Sequence, residues 1–142
     1  MTTRWIRSGV GIAAGALLLA GVRVRAADQI SPAAEKEAQD IFKTRCTMCH
    51  GPGGKGDGPN ARALPVPPAR HASREAMSVR PDDSLYDTIA GGGAIMNRSP
   101  RMPAYGTTLS PPQIRALVRH IRSLCQCAGP AWSTDGRGDS HE

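Results

Sequence analysis

Aromatic side chains are scarce in this sequence: 142 residues include one Phe, two Tyr and two Trp. A buried aromatic usually removes ~150–250 Å² from water, so a domain of about a hundred residues without them lacks much of the usual core bulk. Sixteen Gly and twelve Pro point instead to a loop-rich fold. Such a chain gains from a metal or cofactor at its centre. No convincing strand pattern is present, and no internal repeat. The longest apolar run, residues 9–22, holds 14 residues, against about 20 for a spanning helix.

A basic excess is also missing once the N-terminus is set aside. Residues 1–26 contain Arg4, Arg7, Arg23 and Arg25 and no acid; without those four, 14 of the 18 basic residues remain against 12 acidic ones. Nucleic-acid binders cluster Lys and Arg on one face, so no nucleic-acid partner is expected. The first 26 residues have the layout of an export signal. Arg4 and Arg7 precede the apolar run, and Val24-Arg25-Ala26 puts small residues at −3 and −1 of a cleavage site. A cleaved signal over 1–26 is favoured over an uncleaved anchor, giving a periplasmic protein. Residues 27–128 then form the domain and 129–142 a mobile polar tail.

Within the domain, Ser31-Pro32 opens a helix with a Ser cap and Pro in the first turn. Ala34, Ala38 and Ile41 recur at helical spacing with Phe42 beside them. Residues 51–71 read as a loop rich in Gly and Pro. A short helix is predicted over 83–90, with Asp82 as cap and Gly91 as stop, and loop resumes over 91–109. The strongest helix signal follows: Ser110-Pro111-Pro112-Gln113 is a capping box, and Ile114, Leu117, Val118, Ile121 and Leu124 share one face.

The chemistry concentrates in Cys46-Thr47-Met48-Cys49-His50, a Cys-x-x-Cys-His motif. Each thiol can add across one haem vinyl group, and the next residue is placed to reach the iron. Two other readings compete. A thioredoxin-like dithiol needs a βαβ context that is lacking. A zinc site on Cys46, Cys49, Cys125 and Cys127 leaves His50 unexplained.

A sixth iron ligand is sought among the methionines. Met102 lies in Ser-Pro-Arg-Met-Pro-Ala-Tyr, between Pro100 and Pro103. Proline fixes φ and drives the preceding residue to extended conformations, so the thioether sits on a stiff loop. A thioether favours ferrous iron and raises the potential relative to two histidines. Met96 is the runner-up; Met48 lies inside the attachment loop and Met77 lacks flanking prolines. His71, His120 and His141 are distal candidates in principle, with His120 off the apolar stripe and expected at the surface.

Taken in order, these features resemble class I cytochrome c over residues 31–124: the helix into Cys46-x-x-Cys49-His50-Gly51, the Gly53-Gly54-Lys55-Gly56-Asp57-Gly58-Pro59 stretch, the Leu85…Ile89…Gly91 helix, the Met102-Pro103-x-Tyr105 loop and the final amphipathic helix. The resemblance implies an all-α fold, three to four helices around one covalently bound haem c, with long Gly/Pro-rich loops. It implies haem attachment at Cys46 and Cys49, and His50 and Met102 as axial ligands. First and last helices would cross, and Tyr105 would pack against the haem. The glycine-rich stretch lacks the Gly-Lys-Ser/Thr of a phosphate loop and reads as a turn hugging the haem; Arg62 and Arg70 are candidates for its propionates.

Cys125 falls on the apolar face of the last helix and Cys127 does not. A local disulfide, a link to a partner chain, free thiols and a buried inert Cys125 all stay open. Arg137-Gly138-Asp139 is taken as chance. The expected function is single-electron transfer without catalysis, between redox protein donors and acceptors that dock at the haem edge, with a membrane-bound oxidoreductase as one candidate. The alternatives are a cytochrome subunit of a larger dehydrogenase or oxidase, and a haem protein with an open distal side that acts as a peroxidase or binds gas.

Overall fold

The computed structural model describes residues 31–133; the proposed signal segment and the Arg137-Gly138-Asp139 triplet lie outside them. The described chain is all helix and loop. α1 spans Pro32–Arg45, α2 Thr47–His50, α3 Arg74–Ser78, α4 Asp82–Gly91 and α5 Pro111–Cys125, with 3-10 turns at Ala61–Ala63 and Ala94–Met96. That makes five helices where three to four are expected. The extra two are short: α2 is four residues inside the attachment motif and α3 is five. Neither is long enough to show a period in the sequence.

α1 begins as its sequence dictates: the Ser31 hydroxyl accepts from the Ala34 amide at 3.2 Å, with Pro32 in the first turn. Its apolar stripe buries Ala38 and Phe42 against Ile114, Leu117, Val118 and Ile121 of α5. The small Ala38 lets the helices approach closely, and α1 against α5 is the most extensive helix contact in the fold. The capping box of α5 is present: the Ser110 amide donates to Gln113 Oε1 at 2.8 Å. The Gln113 amide then donates to Glu37 at 2.6 Å, so the cap of α5 is tied to α1. Asp82 is the first residue of α4 and not its cap, which is Pro81.

The C-terminal cysteines are resolved as a Cys125–Cys127 disulfide, with Cα atoms 5.2 Å apart. Gln126 between them ends α5 with φ 49°. The chain does not leave the domain at residue 129. The Ser133 hydroxyl accepts from the Asp82 amide at 2.6 Å, and the Arg122 guanidinium lies against Asp82 and the carbonyls of Met77 and Arg80. Residues 129–133 therefore cover the start of α4; 134–142 are outside the described part. No helix among the described residues is long and apolar enough to cross a membrane.

Candidate haem site

A cavity of about 410 Å³ opens between α1, α4, α5 and the loops, within the size range of cofactor sites. Cys46, Cys49, His50 and Met102 all line it, although Met102 is 52 positions beyond His50. Its floor is apolar, built from Ile41, Phe42, Leu85, Ile89, Leu117 and Ile121. The small core left by so few aromatics is thus wrapped around a space.

α1 runs directly into the attachment motif, whose one helical turn presents both thiols and the imidazole to the cavity. Cys46 and Cys49 are free thiols. Burial pushes the Cys46 thiol up to about 11, with nearby Arg45 opposing and Cys49 adding to the rise. No three His, Cys, Asp or Glu among the described residues come together as a metal-holding group, and Cys125 and Cys127 are bonded to each other. The four-cysteine zinc alternative is therefore not assembled.

His50 is oriented by backbone. Its Nδ1 lies 3.0 Å from the Ala69 carbonyl, which assigns the proton to Nδ1 and leaves the Nε2 lone pair for a metal. Burial holds the ring below the usual histidine range, against the smaller opposing pull of the Ala69 hydrogen bond. Neutral imidazole with one free nitrogen is the form an iron ligand needs, so the residues present fit a haem at this site.

The glycine-rich loop has a different place from the one expected. No glycine lines the cavity. The loop folds back behind the motif: the Gly56 amide donates to the His50 carbonyl at 2.7 Å, Gly58 to Cys49 at 3.2 Å and Asn60 to Met48 at 2.8 Å. A Cβ at Gly58 would collide with the carbonyls of Thr47 and Met48, which is why the chain needs glycine there. The loop is a collar on the attachment turn, because only its amides satisfy carbonyls that so short a helix leaves unpaired.

Met102 is carried by the expected proline-flanked loop. The loop is anchored by the Gly93 amide donating to the Met102 carbonyl at 3.0 Å, and by the Tyr105 amide donating to Ile89 at 2.9 Å. A Cβ at Gly93 would strike the Ser99 carbonyl and lie 3.1 Å from Met102 Cβ. Met96 does not line the cavity, Met77 is core at 1 % exposure and Met48 is exposed. Tyr105 lines the cavity and its hydroxyl donates to the Arg45 carbonyl at 3.2 Å.

Three expectations are corrected. Arg62 and Arg70 are exposed and off the cavity; the arginines on its wall are Arg45, Arg80, Arg98 and Arg101, with no carboxylate among the lining residues. Arg80 is held below the usual arginine range by burial first and by the Arg98 charge second. His71 is no distal residue: its ring stacks on His50, centroids 4.2 Å apart at 12°. His120 is no free surface group, since it packs edge-on against Phe42 at 4.9 Å; burial lowers its proton affinity and Glu35 partly restores it. Sequence reasoning missed Ala69, Gly93, Arg80 and Arg98. The run Gly91-Gly92-Gly93 was a signal for close approach; a carbonyl donated by an alanine leaves none.

An all-α fold with an attachment motif opening onto one cavity defines this as a class I cytochrome c. The chain belongs to the family described as cytochrome c oxidase, cbb3-type, subunit III, whose model matches residues 33–121. It is a haem c domain of electron-transfer type. No curated protein matches. Among solved structures, it is similar to a chain of the Kuenenia stuttgartiensis reducing HAO-like protein complex, at 22% identity and a TM-score of 0.56. The match takes in 68% of this chain and 46% of that one, so this chain spans about half of its neighbour; at that identity the likeness concerns the fold.

Proposed function

We propose that the protein is a periplasmic carrier of single electrons, holding one haem c through Cys46 and Cys49 with His50 and Met102 as axial ligands, and that it is not an enzyme. The observation that carries this reading is the convergence of those four residues on one cavity. When bound, the haem supplies reversible one-electron exchange at its iron. The protein's part is to hold that iron still. Cys46 and Cys49, just beyond the end of α1, would hold the ring through thioether bonds. The Ala69 carbonyl keeps His50 in one tautomer. Pro100 and Pro103 stiffen the Met102 loop, so the ligand pair changes little on electron transfer. Were His50 and Met102 both to hold the iron, neither substrate nor dioxygen would have a place to bind. Arg80 and Arg98 on an acid-free wall suit the carboxylates of propionates.

The periplasmic assignment rests on the export-signal layout of residues 1–26. A subunit role in a larger oxidoreductase is the second reading, favoured by the oxidase-subunit description of the family and by the neighbour's membership of a protein complex. In either setting donor and acceptor dock transiently at the haem edge.

The test is an optical spectrum of the exported protein, native and as pyridine haemochrome. A haem c spectrum with a sulfur–iron charge-transfer band is expected, and Met102→Ala should abolish that band and admit carbon monoxide to the reduced protein. A band that survives the substitution moves the ligand elsewhere. Rapid stoichiometric carbon monoxide binding by the unaltered protein points to an open distal site. Colourless protein with both thiols titratable ends the reading. Co-purification of a complex from native membranes separates the subunit from the free carrier.

A further inference from the structure

We propose that His71 is a positioning residue for the iron ligand, setting the plane in which the His50 imidazole stands. The inference rests on reading His50 as that ligand. A hydrogen bond from Nδ1 to the Ala69 carbonyl pins one atom of the ring but leaves the ring free to rock about that bond. A flat group against its face removes the remaining freedom. His71 supplies one, with ring centroids 4.2 Å apart and planes 12° from parallel. Ala69 and His71 are two residues apart on the same stretch of chain, so one segment provides both the acceptor and the stacked ring.

His71 is itself clamped. Phe42 lies on it with centroids 6.0 Å apart at 53°. Gly54 comes so close that a Cβ there would sit 3.0 Å from His71 Cβ, and the Ala72 amide donates to the Gly54 carbonyl at 2.9 Å. The glycine-rich collar thus fixes the stack as well as the attachment turn.

Packing alone does not account for histidine at this position. The residue is 7% exposed, and its Nδ1 is buried without a hydrogen-bond partner among the protein's own groups. Leaving such an atom unpaired costs stability that an apolar side chain of similar size does not incur. What histidine brings over leucine is a rigid plane. The orientation of an axial imidazole determines how its π orbitals overlap the iron d orbitals, and so how unpaired spin spreads over the porphyrin in the ferric state.

The experiment uses the exported, haem-loaded protein and its His71→Leu, His71→Phe and His120→Leu variants, read by proton NMR of the ferric haem methyls and by electron paramagnetic resonance. His71→Leu is expected to keep haem c and the sulfur–iron band while redistributing the methyl shifts and moving the g values. His71→Phe restores a flat ring and should return both towards the unaltered protein. His120→Leu, which removes a ring packed on Phe42 and leaves the His50–His71 pair in place, should leave them unchanged. If His71→Leu does not accumulate, His71→Met removes the plane with an unbranched chain of similar bulk, and the same shifts are expected. Methyl shifts and g values indifferent to loss of the ring overturn the inference while leaving the haem reading intact, as does a His71→Phe pattern identical to that of the ring-less variant. Absence of a haem c spectrum in the unaltered protein sinks the underlying reading and the inference with it.

Discussion

The two faces of the cavity are built by opposite means. On the His50 side the proposed ligand sits in a helical turn continuous with α1. Three amides of the glycine collar hold it, the Ala69 carbonyl orients it and a buried aromatic ring backs it. On the Met102 side the proposed ligand rides an exposed loop: Pro100, Arg101, Pro103 and Ala104 are all exposed, and stiffness comes from the prolines and from Gly93. Burial and many backbone bonds make one side part of the core. The other side is fixed chiefly by its own restricted dihedrals, so its local opening exposes little apolar surface. The nitrogen ligand should therefore be lost only with the fold, and the sulfur ligand well before it.

The largest effect that bears on this contrast comes from the attachment turn. Replacing Cys46 and Cys49 together by Ala should leave no covalent haem, read as loss of haem stain on a denaturing gel. Retention of stained protein would mean another attachment point. Next comes a pair of glycine substitutions. Gly58→Ala drives a methyl into the carbonyls of Thr47 and Met48, a strain of about 1–3 kcal/mol, and should lower both haem yield and the urea midpoint. Gly93→Ala drives one into the Ser99 carbonyl and should weaken the sulfur–iron band while shifting the urea midpoint less. The reverse pattern, with Gly93→Ala costing haem and Gly58→Ala sparing it, would break the contrast.

The pH dependence sharpens it. Burial first, then the neighbouring His50, Arg80 and His120, hold His71 down to about 3 from the usual 6.5. The unfolded chain then takes up a proton between pH 6.5 and about 3 that the folded chain does not. Stability is full above 6.5 and is lost as pH falls through that window. A drop in urea stability between pH 7 and 4.5 is expected, smaller in His71→Leu by on the order of 2 kcal/mol. An equal drop in both would place the titrating group elsewhere. The smallest effect lies far from either ligand: Ser110→Ala removes the hydroxyl of the α5 capping box and should cost roughly 1 kcal/mol of urea stability with no change in the optical spectrum.

The parts legible in the sequence are those whose signal is local. Cys46, Cys49 and His50 are read from spacing, because two vinyl groups and an iron demand it. Met102 is read from its flanking prolines, and α1 and α5 from caps and period. The failures share a cause as well. Arg62 and Arg70 lie in the loop that follows the motif but are exposed, and among the arginines on the wall Arg80 and Arg98 come from segments with no motif. The glycine-rich stretch reads as a turn hugging the haem, since composition reports that glycines permit close approach, not what they approach.

By itself, then, the sequence singled out four residues that the fold gathers at one cavity and determined that the chain is helical around them, since capping, helical period and attachment spacing act over a few neighbouring positions. The tertiary structure decided what surrounds those residues. A carbonyl from Ala69, a ring from His71, the cationic wall at Arg80 and Arg98, and the docking of residues 129–133 on α4 all depend on segments far apart in the chain meeting in space. Such meetings are fixed by the packing of the whole core and leave no periodic trace in any one stretch of chain.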